Sequence, residues 1–179
     1  DILFPILMSD ETCPKQLQQG NEKSCNYNWG NLNHDIYLDE TNIRMTMNFR
    51  NNFSRLAQQL IIEKKYEKAK RVLDYCMEIM PGDKIPLNYF VHPIVQSYYD
   101  IKSTEKAENI INKLYTIYSS ELNYYFLFPD EKITGVSMDI LRNLQFYNQL
   151  IEMAKTNNHP NITIMEQEFE KLYRNYLML

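Results

Sequence analysis

Apolar residues that recur after 38 residues constrain the fold of this chain more than any other feature. Each residue of the first copy has a counterpart at the same offset in the second: Phe53, Leu56, Ala57, Leu60, Ala69, Leu73 and Cys76 match Val91, Ile94, Val95, Tyr98, Ala107, Ile111 and Leu114. Self-similarity at a fixed period is typical of repeat proteins, in which one unit cannot bury its apolar face alone and must stack on its neighbours. The chain is therefore predicted to be an interaction scaffold.

The spacing inside each copy resembles the two-helix tetratricopeptide repeat: large-x-x-large-small-x-x-large, then Ala-x-x-x-large. The period is about four residues longer than the ~34 of that repeat, and the loop 81–87 can hold the extra residues. We predict an all-α fold, a tetratricopeptide-like right-handed stack of about six helices, in hairpins at about 41–80, 86–128 and 134–178. In the second hairpin, Pro86 is predicted to begin the helix and Pro93 to kink it.

Residues 1–40 are predicted to form an irregular arm packed on the helical-repeat domain, 41–179, because they are rich in polar residues and show no sustained period. Asp39 or Thr41 is positioned to cap the first helix. Cys13 and Cys25, both in this arm, either form a disulfide in an oxidising compartment or remain two free thiols. Cys76 occupies a core position of the second helix and is interpreted as a small buried hydrophobic residue.

Composition narrows the class of function. With 19 Lys and Arg against 23 Asp and Glu, the net charge is -4, which argues against a nucleic-acid partner. Four glycines are too few for us to expect a glycine-rich phosphate loop. No apolar run approaches the ~20 residues that cross a bilayer. The chain begins at Asp1 rather than Met, so we expect a piece of a longer or processed product.

Known catalytic and metal-binding motifs are not found in the sequence. The three histidines are far apart and have no carboxylate at metal-ligand spacing. We therefore predict no catalytic residue, no metal ligand and no cofactor, and interpret the chain as not being an enzyme. Asp35, Asp39 and Glu40 are interpreted as a solvated turn with a helix cap, the alternative being a carbohydrate-active site with two facing carboxylates. The basic run 64–71 is interpreted as a solvated helix face, with a phosphate or membrane patch as the alternative.

The repeat geometry predicts a binding groove. In such hairpins the first helix of each pair lines the concave side, so the residues next to the buried positions face inward. The predicted groove residues are Asn51, Ser54, Gln58, Tyr89, His92, Gln96 and Tyr99. Such a groove can bind an extended peptide or a glycan. In the alternative, the N-terminal arm fills the groove with Tyr27, Trp29 and Tyr37.

Several short sequences in the chain carry a resemblance to a known family: Trp29-Gly30-Asn31 and Arg50-Asn51-Asn52-Phe53, both of which are unusual, and Cys76-Met77-Glu78-Ile79-Met80-Pro81. With the stretches 37–39, 44–46 and 89–99, they resemble the C-terminal region of a family of large multi-pass bacterial inner-membrane proteins similar to protein O-mannosyltransferases. The resemblance spans roughly residues 27–128. It implies a domain on the periplasmic side of the inner membrane, joined to a glycosyltransferase-like membrane module through a multi-pass N-terminal region.

The resemblance carries over no catalytic residue to this chain. Our leading interpretation is a non-catalytic domain that mediates protein interaction by positioning an acceptor protein or an assembly partner beside the membrane module. The periplasm is oxidising, which favours the disulfide between Cys13 and Cys25. Two other interpretations stay open: a free-standing soluble adaptor that binds a peptide, and a carbohydrate-active enzyme that uses Asp35, Asp39 or Glu40.

Overall fold

The computed structural model of this chain describes residues 37–178. Within that range the chain forms six α-helices and no strand: α1 Glu40–Ile62, α2 Tyr66–Ile79, α3 His92–Asp100, α4 Thr104–Tyr125, α5 Asp130–Thr156 and α6 Ile162–Leu177, with a short 3-10 turn, Tyr89–Val91, before α3. The predicted all-α fold is confirmed. The predictions for Cys13, Cys25, Asp35 and the arm as far as residue 36 lie outside the described residues.

The chain divides into two compact units between Lys102 and Ser103. The first unit contains α1, α2 and α3, and the second contains α4, α5 and α6. The boundary therefore falls between the two helices of the hairpin predicted at 86–128, and the pairing of those helices stays a prediction.

The repeated apolar positions form the core of the first unit. In this unit α1 packs against α2, α3 and the 3-10 turn. Each repeat position of this unit exposes 5% of its surface or less: Phe53, Leu56, Ala57, Leu60, Ala69, Leu73, Cys76, Val91, Ile94, Val95 and Tyr98. Full burial of a Leu, Ile or Val side chain stabilises a fold by roughly 1.5–3 kcal/mol. The pattern thus identifies the residues that hold α1 to its neighbours.

The second unit has a core of its own, in which α4 packs against α5 and α6, and α5 packs against α6. The remaining repeat positions, Ala107, Ile111 and Leu114, are fully buried on α4. On α5, the apolar residues Ile140, Leu144, Tyr147 and Ile151 are buried as well.

The 38-residue period is visible in the backbone as well as in the core. Lys64, just after α1, and Lys102, just after α3, both adopt the left-handed conformation, with φ of 59° and 62°. The amide of Lys64 donates to the carbonyl of Ile61, and the amide of Lys102 donates to the carbonyl of Tyr99. Asn158 ends α5 in the same way, with φ of 53°. A left-handed residue after a helix satisfies its last carbonyls and turns the chain sharply.

The start of α3 differs from the prediction. Pro86 does not begin a helix: residues 86–88 are irregular, the 3-10 turn follows, and α3 begins at His92. Pro93 therefore lies in the first helical turn and causes no kink, because the amide that proline lacks would have no partner there. The last hairpin also begins earlier than predicted, since α5 begins at Asp130 directly after Pro129.

Candidate binding surface

A buried arginine fixes the connection between α2 and α3 against α1. Arg50 lies on the apolar face of α1, three residues before Phe53, and none of its surface is exposed. Its Nη1 donates to the carbonyl oxygen of Pro86 at 2.5 Å. Its Nη2 donates to the carbonyl oxygens of Met80 at 2.9 Å and Ile85 at 2.6 Å. The planar fork of a guanidinium suits several acceptors at fixed angles, so one side chain holds the connection at its start and at its middle.

Arg50 is a buried cation whose hydrogen-bond acceptors, within the described range, are carbonyl oxygens rather than a carboxylate. Burial lowers the pKa of its guanidinium from 12.5 to about 10, with the nearby Cys76 acting in the opposite direction. Arg50 therefore stays protonated at neutral pH. Burial raises the pKa of the Cys76 thiol to about 12, so Cys76 stays neutral and is no counter-ion. The prediction that Cys76 is a buried hydrophobic residue is confirmed.

Two further side chains fix the 3-10 turn and α3. The Tyr98 hydroxyl on α3 donates to Asp74 Oδ1 on α2 at 2.9 Å. Burial, and then the charge of Asp74, raise the pKa of Tyr98, so its hydroxyl remains a donor. Asn88 Oδ1 accepts from the amide of Phe90 at 3.2 Å and so caps the turn. The turn, and Tyr89 within it, are thereby held at a fixed place beside α1.

The predicted groove residues differ in exposure. Asn51 and Gln58 are exposed on α1, and Tyr89 exposes 40% of its surface, with its ring 4.2 Å from that of Phe90. Gln96 on α3 is half-buried, and its Nε2 donates to Asp100 Oδ1 at 2.9 Å. Tyr99 is also half-buried.

Two of the predicted groove residues lie in the core instead of on a surface. Ser54 exposes 1% of its surface and His92 exposes 6%. Both residues lie where α1 packs against the 3-10 turn and α3. Among the predicted groove residues, the carboxamides of Asn51, Gln58 and Gln96 are outside the core, and we call these three groups the amide surface.

Asp39, which was predicted to cluster with Asp35 and Glu40, caps α1. Its Oδ1 accepts from the amide of Asn42 at 2.7 Å, as predicted for a helix cap. Glu40 is exposed in the first turn of α1, where its negative charge interacts favourably with the positive end of the helix dipole. Between residues 37 and 178, no group of three or more His, Cys, Asp or Glu is placed to hold a metal ion.

Arg50 is the residue that the sequence-based reasoning missed. The sequence does contain a sign of its role, because the helix pattern places this charged residue on the apolar face of α1 with Phe53 and Ala57. A charge on such a face must find buried partners or distort the helix packing. Its partners are backbone carbonyl oxygens of a loop. Every residue has such an oxygen, so the sequence does not show which ones accept from Arg50.

Comparison with known proteins gives no relative for this chain: no protein-family model, no curated protein and no solved structure matches it. The resemblance to the inner-membrane family stays a prediction. Among the described helices, none combines the length and the low polarity that a membrane span requires.

Proposed function

We propose that this chain is a non-catalytic, tetratricopeptide-like interaction domain that binds an extended segment of another protein at the amide surface. The observation that carries the proposal is the equivalence of Gln58 and Gln96. They lie 38 residues apart in the sequence, and each directly follows a buried repeat position. Gln58 precedes the left-handed residue Lys64 by the same number of residues as Gln96 precedes Lys102. Matching polar groups on successive repeats are how solenoid proteins bind extended chains.

The chemistry of the amide surface suits a peptide backbone. A carboxamide offers both a donor and an acceptor, so it can pair with the N–H and C=O groups that every residue of an extended peptide presents. Gln58 is exposed, while Gln96 uses its Nε2 on Asp100 and keeps its Oε1 as an acceptor. Tyr89, held by the capped 3-10 turn, adds an aromatic surface for an apolar side chain.

The place of this domain in the cell follows from the family resemblance. We propose that it lies on the periplasmic side of a bacterial inner membrane, joined to a glycosyltransferase-like membrane module, and that its partner is a glycosylation acceptor or an assembly partner. Reading the gene upstream of Asp1 tests this: many apolar segments of ~20 residues support it. A gene without them favours the free-standing adaptor that binds a peptide.

A peptide library displayed on phage tests the amide surface. Peptides selected on the wild-type domain should bind the double variant Gln58→Ala, Gln96→Ala at least about tenfold more weakly, because two or more hydrogen bonds are lost. Gln59→Ala is the matched control, since Gln59 is exposed one position away and its Nε2 donates to Glu63. Both variants should melt like the wild type. Equal binding by the double variant and the control would place the partner site elsewhere.

A further inference from the structure

Two short sequences in the chain match the acceptor pattern of N-linked glycans, which is Asn, then any residue except proline, then Ser or Thr. One runs from Asn52 to Ser54 and the other from Asn161 to Thr163. Such a short pattern also arises by chance, so the structure has to show whether either match is usable. A transferase must reach the carboxamide of the asparagine and the hydroxyl two residues later at the same time.

The first match lies in the middle of a helix, and the folded chain does not present it. Asn52 is exposed on α1, whereas Ser54 exposes 1% of its surface and lies in the core. Residues two positions apart on a helix do not face each other, so these side chains lie on different faces of α1. One enzyme cannot reach both groups without unfolding this helix.

The second match lies at the turn between α5 and α6. Asn158, in the left-handed conformation, ends α5, and Asn161 directly precedes the first residue of α6. Asn161 and Thr163 are both exposed. Acceptor asparagines of secreted proteins lie in surface loops. This turn therefore offers the carboxamide and the hydroxyl together, as the first match does not.

A buried histidine fixes the turn from below. His159 exposes 1% of its surface, and its amide donates to the carbonyl oxygen of Ala154 at 2.8 Å. Its Nδ1 accepts from the amide of Asn161 at 3.1 Å. Asn161 is thus held through its backbone, while its side chain stays on the surface, where Nδ2 donates to Asn112 Oδ1 at 3.1 Å.

We propose that Asn161 is the acceptor of an N-linked glycan. The donor is a saccharide that a lipid diphosphate carries on its anomeric carbon. Nδ2 of Asn161 attacks this carbon, so a carbon–nitrogen bond forms while the bond between the carbon and the diphosphate oxygen breaks. The lipid diphosphate leaves with the electron pair, and a base of the transferase takes one proton from Nδ2. The second proton stays on Nδ2, which can still donate to Asn112.

The modification rests on one part of the proposed function, the location outside the cytoplasm, because N-linked glycans mark exported proteins. It does not depend on peptide binding at the amide surface, whose three residues belong to the first unit. The two proposals can therefore fail separately.

Mass spectrometry of the protein isolated from its own cells tests the modification directly. Trypsin cleaves after Lys155 and after Lys171, so the peptide 156–171 contains the second match and not the first. We expect this peptide to carry the mass of a glycan, and fragmentation to place the glycan on Asn161. A peptide that is bare in every copy would overturn the proposal.

Secretion of the whole chain from a eukaryotic cell tests the acceptor site independently of where the protein naturally lies. The wild type should gain a glycan that peptide:N-glycosidase removes. Asn161→Gln and Thr163→Ala should abolish it, and Thr163→Ser should retain part of it. Asn52→Gln is the matched control and should leave the glycan in place. All four variants should melt like the wild type, because the replaced side chains are exposed.

A secreted wild type without a glycan would overturn the acceptor site. So would a glycan that Asn52→Gln removes and Asn161→Gln does not. A glycan on the secreted chain combined with a bare peptide from the protein's own cells would overturn the exported location, and with it the natural modification. Binding of selected peptides at the amide surface would stand in each of these cases.

Discussion

Replacing Arg50 by methionine tests whether the buried guanidinium holds the first unit together. Methionine has an unbranched side chain of similar length, so Arg50→Met removes the charge and the donors while it fills most of the space. The carbonyl oxygens of Met80, Ile85 and Pro86 lose their shared donor. Arg55→Met is the matched control, because Arg55 is exposed on the same helix.

The structure gives the size of the effect. Hydrogen bonds from a charged donor contribute roughly 1.5–3 kcal/mol each, and Arg50 makes three of them. Burial opposes this contribution: the pKa of Arg50 is lowered from 12.5 to about 10, which corresponds to a cost of about 3 kcal/mol. The hydrogen bonds exceed the cost of burial, so Arg50→Met should lower the free energy of unfolding by about 1–6 kcal/mol. Arg55→Met should change it by less than about 0.5 kcal/mol.

Urea denaturation followed by far-ultraviolet circular dichroism measures the free energy of unfolding of both variants. Hydrogen exchange measures the local effect: the amides of residues 81–91 should exchange faster in Arg50→Met, because this segment loses its attachment to α1. Arg50→Lys should recover only part of the stability, since an ammonium cannot hold three carbonyls in the plane of a guanidinium. Equal stability of Arg50→Met and Arg55→Met would refute the reasoning.

Three further predictions concern the core, a helix cap and alkaline pH. Ala69→Leu should lower the free energy of unfolding by about 1–3 kcal/mol through overpacking, whereas Lys70→Leu on the exposed face of α2 should not; equal melting temperatures would contradict the repeat alignment. Asp39→Ala should cost about 0.5–2 kcal/mol in a thermal melt, because α1 loses its cap. Burial raises the pKa of Cys76 to about 12 and also raises that of Tyr147. Each group therefore stabilises the folded state fully below its pKa in the unfolded chain, which is about 8.5 for the cysteine and about 10 for the tyrosine. This stabilisation is lost as the pH rises above that pKa. Urea midpoints should fall from about pH 8.5 upward, and Cys76→Ala should flatten the first part of the fall.

Much of the first unit could be predicted because its core follows a simple periodicity. The spacing from Phe53 to Leu60 requires one apolar face of a helix, and Ala69 marks a close contact of the next helix. The cap at Asp39 follows from the chemistry of helix ends. Each of these features depends on residues that are near one another in sequence.

The features that sequence reasoning missed depend on contacts between distant segments. Pro86 and Pro93 both suit a first helical turn, and the sequence alone does not show which one begins the helix. The burial of Ser54 and His92 results from the packing of α1 against the 3-10 turn and α3, which no single helix pattern contains. Likewise, the partners of Arg50 are backbone carbonyls 30 to 36 residues away. Two of the seven predicted groove residues depended on such contacts.

The left-handed turns at Lys64 and Lys102 suggest how this chain could be made more stable. A residue with a side chain costs roughly 1–2 kcal/mol in that conformation, which glycine adopts freely. The chain instead has a glycine at position 135 inside α5, where an added methyl group would meet no atom within 4 Å. Neither kind of position therefore carries the residue type that would make the fold most stable, as is common in natural proteins. A more stable version of this domain can be made with alanine at position 135 and glycine at positions 64 and 102. These changes leave the amide surface as it is.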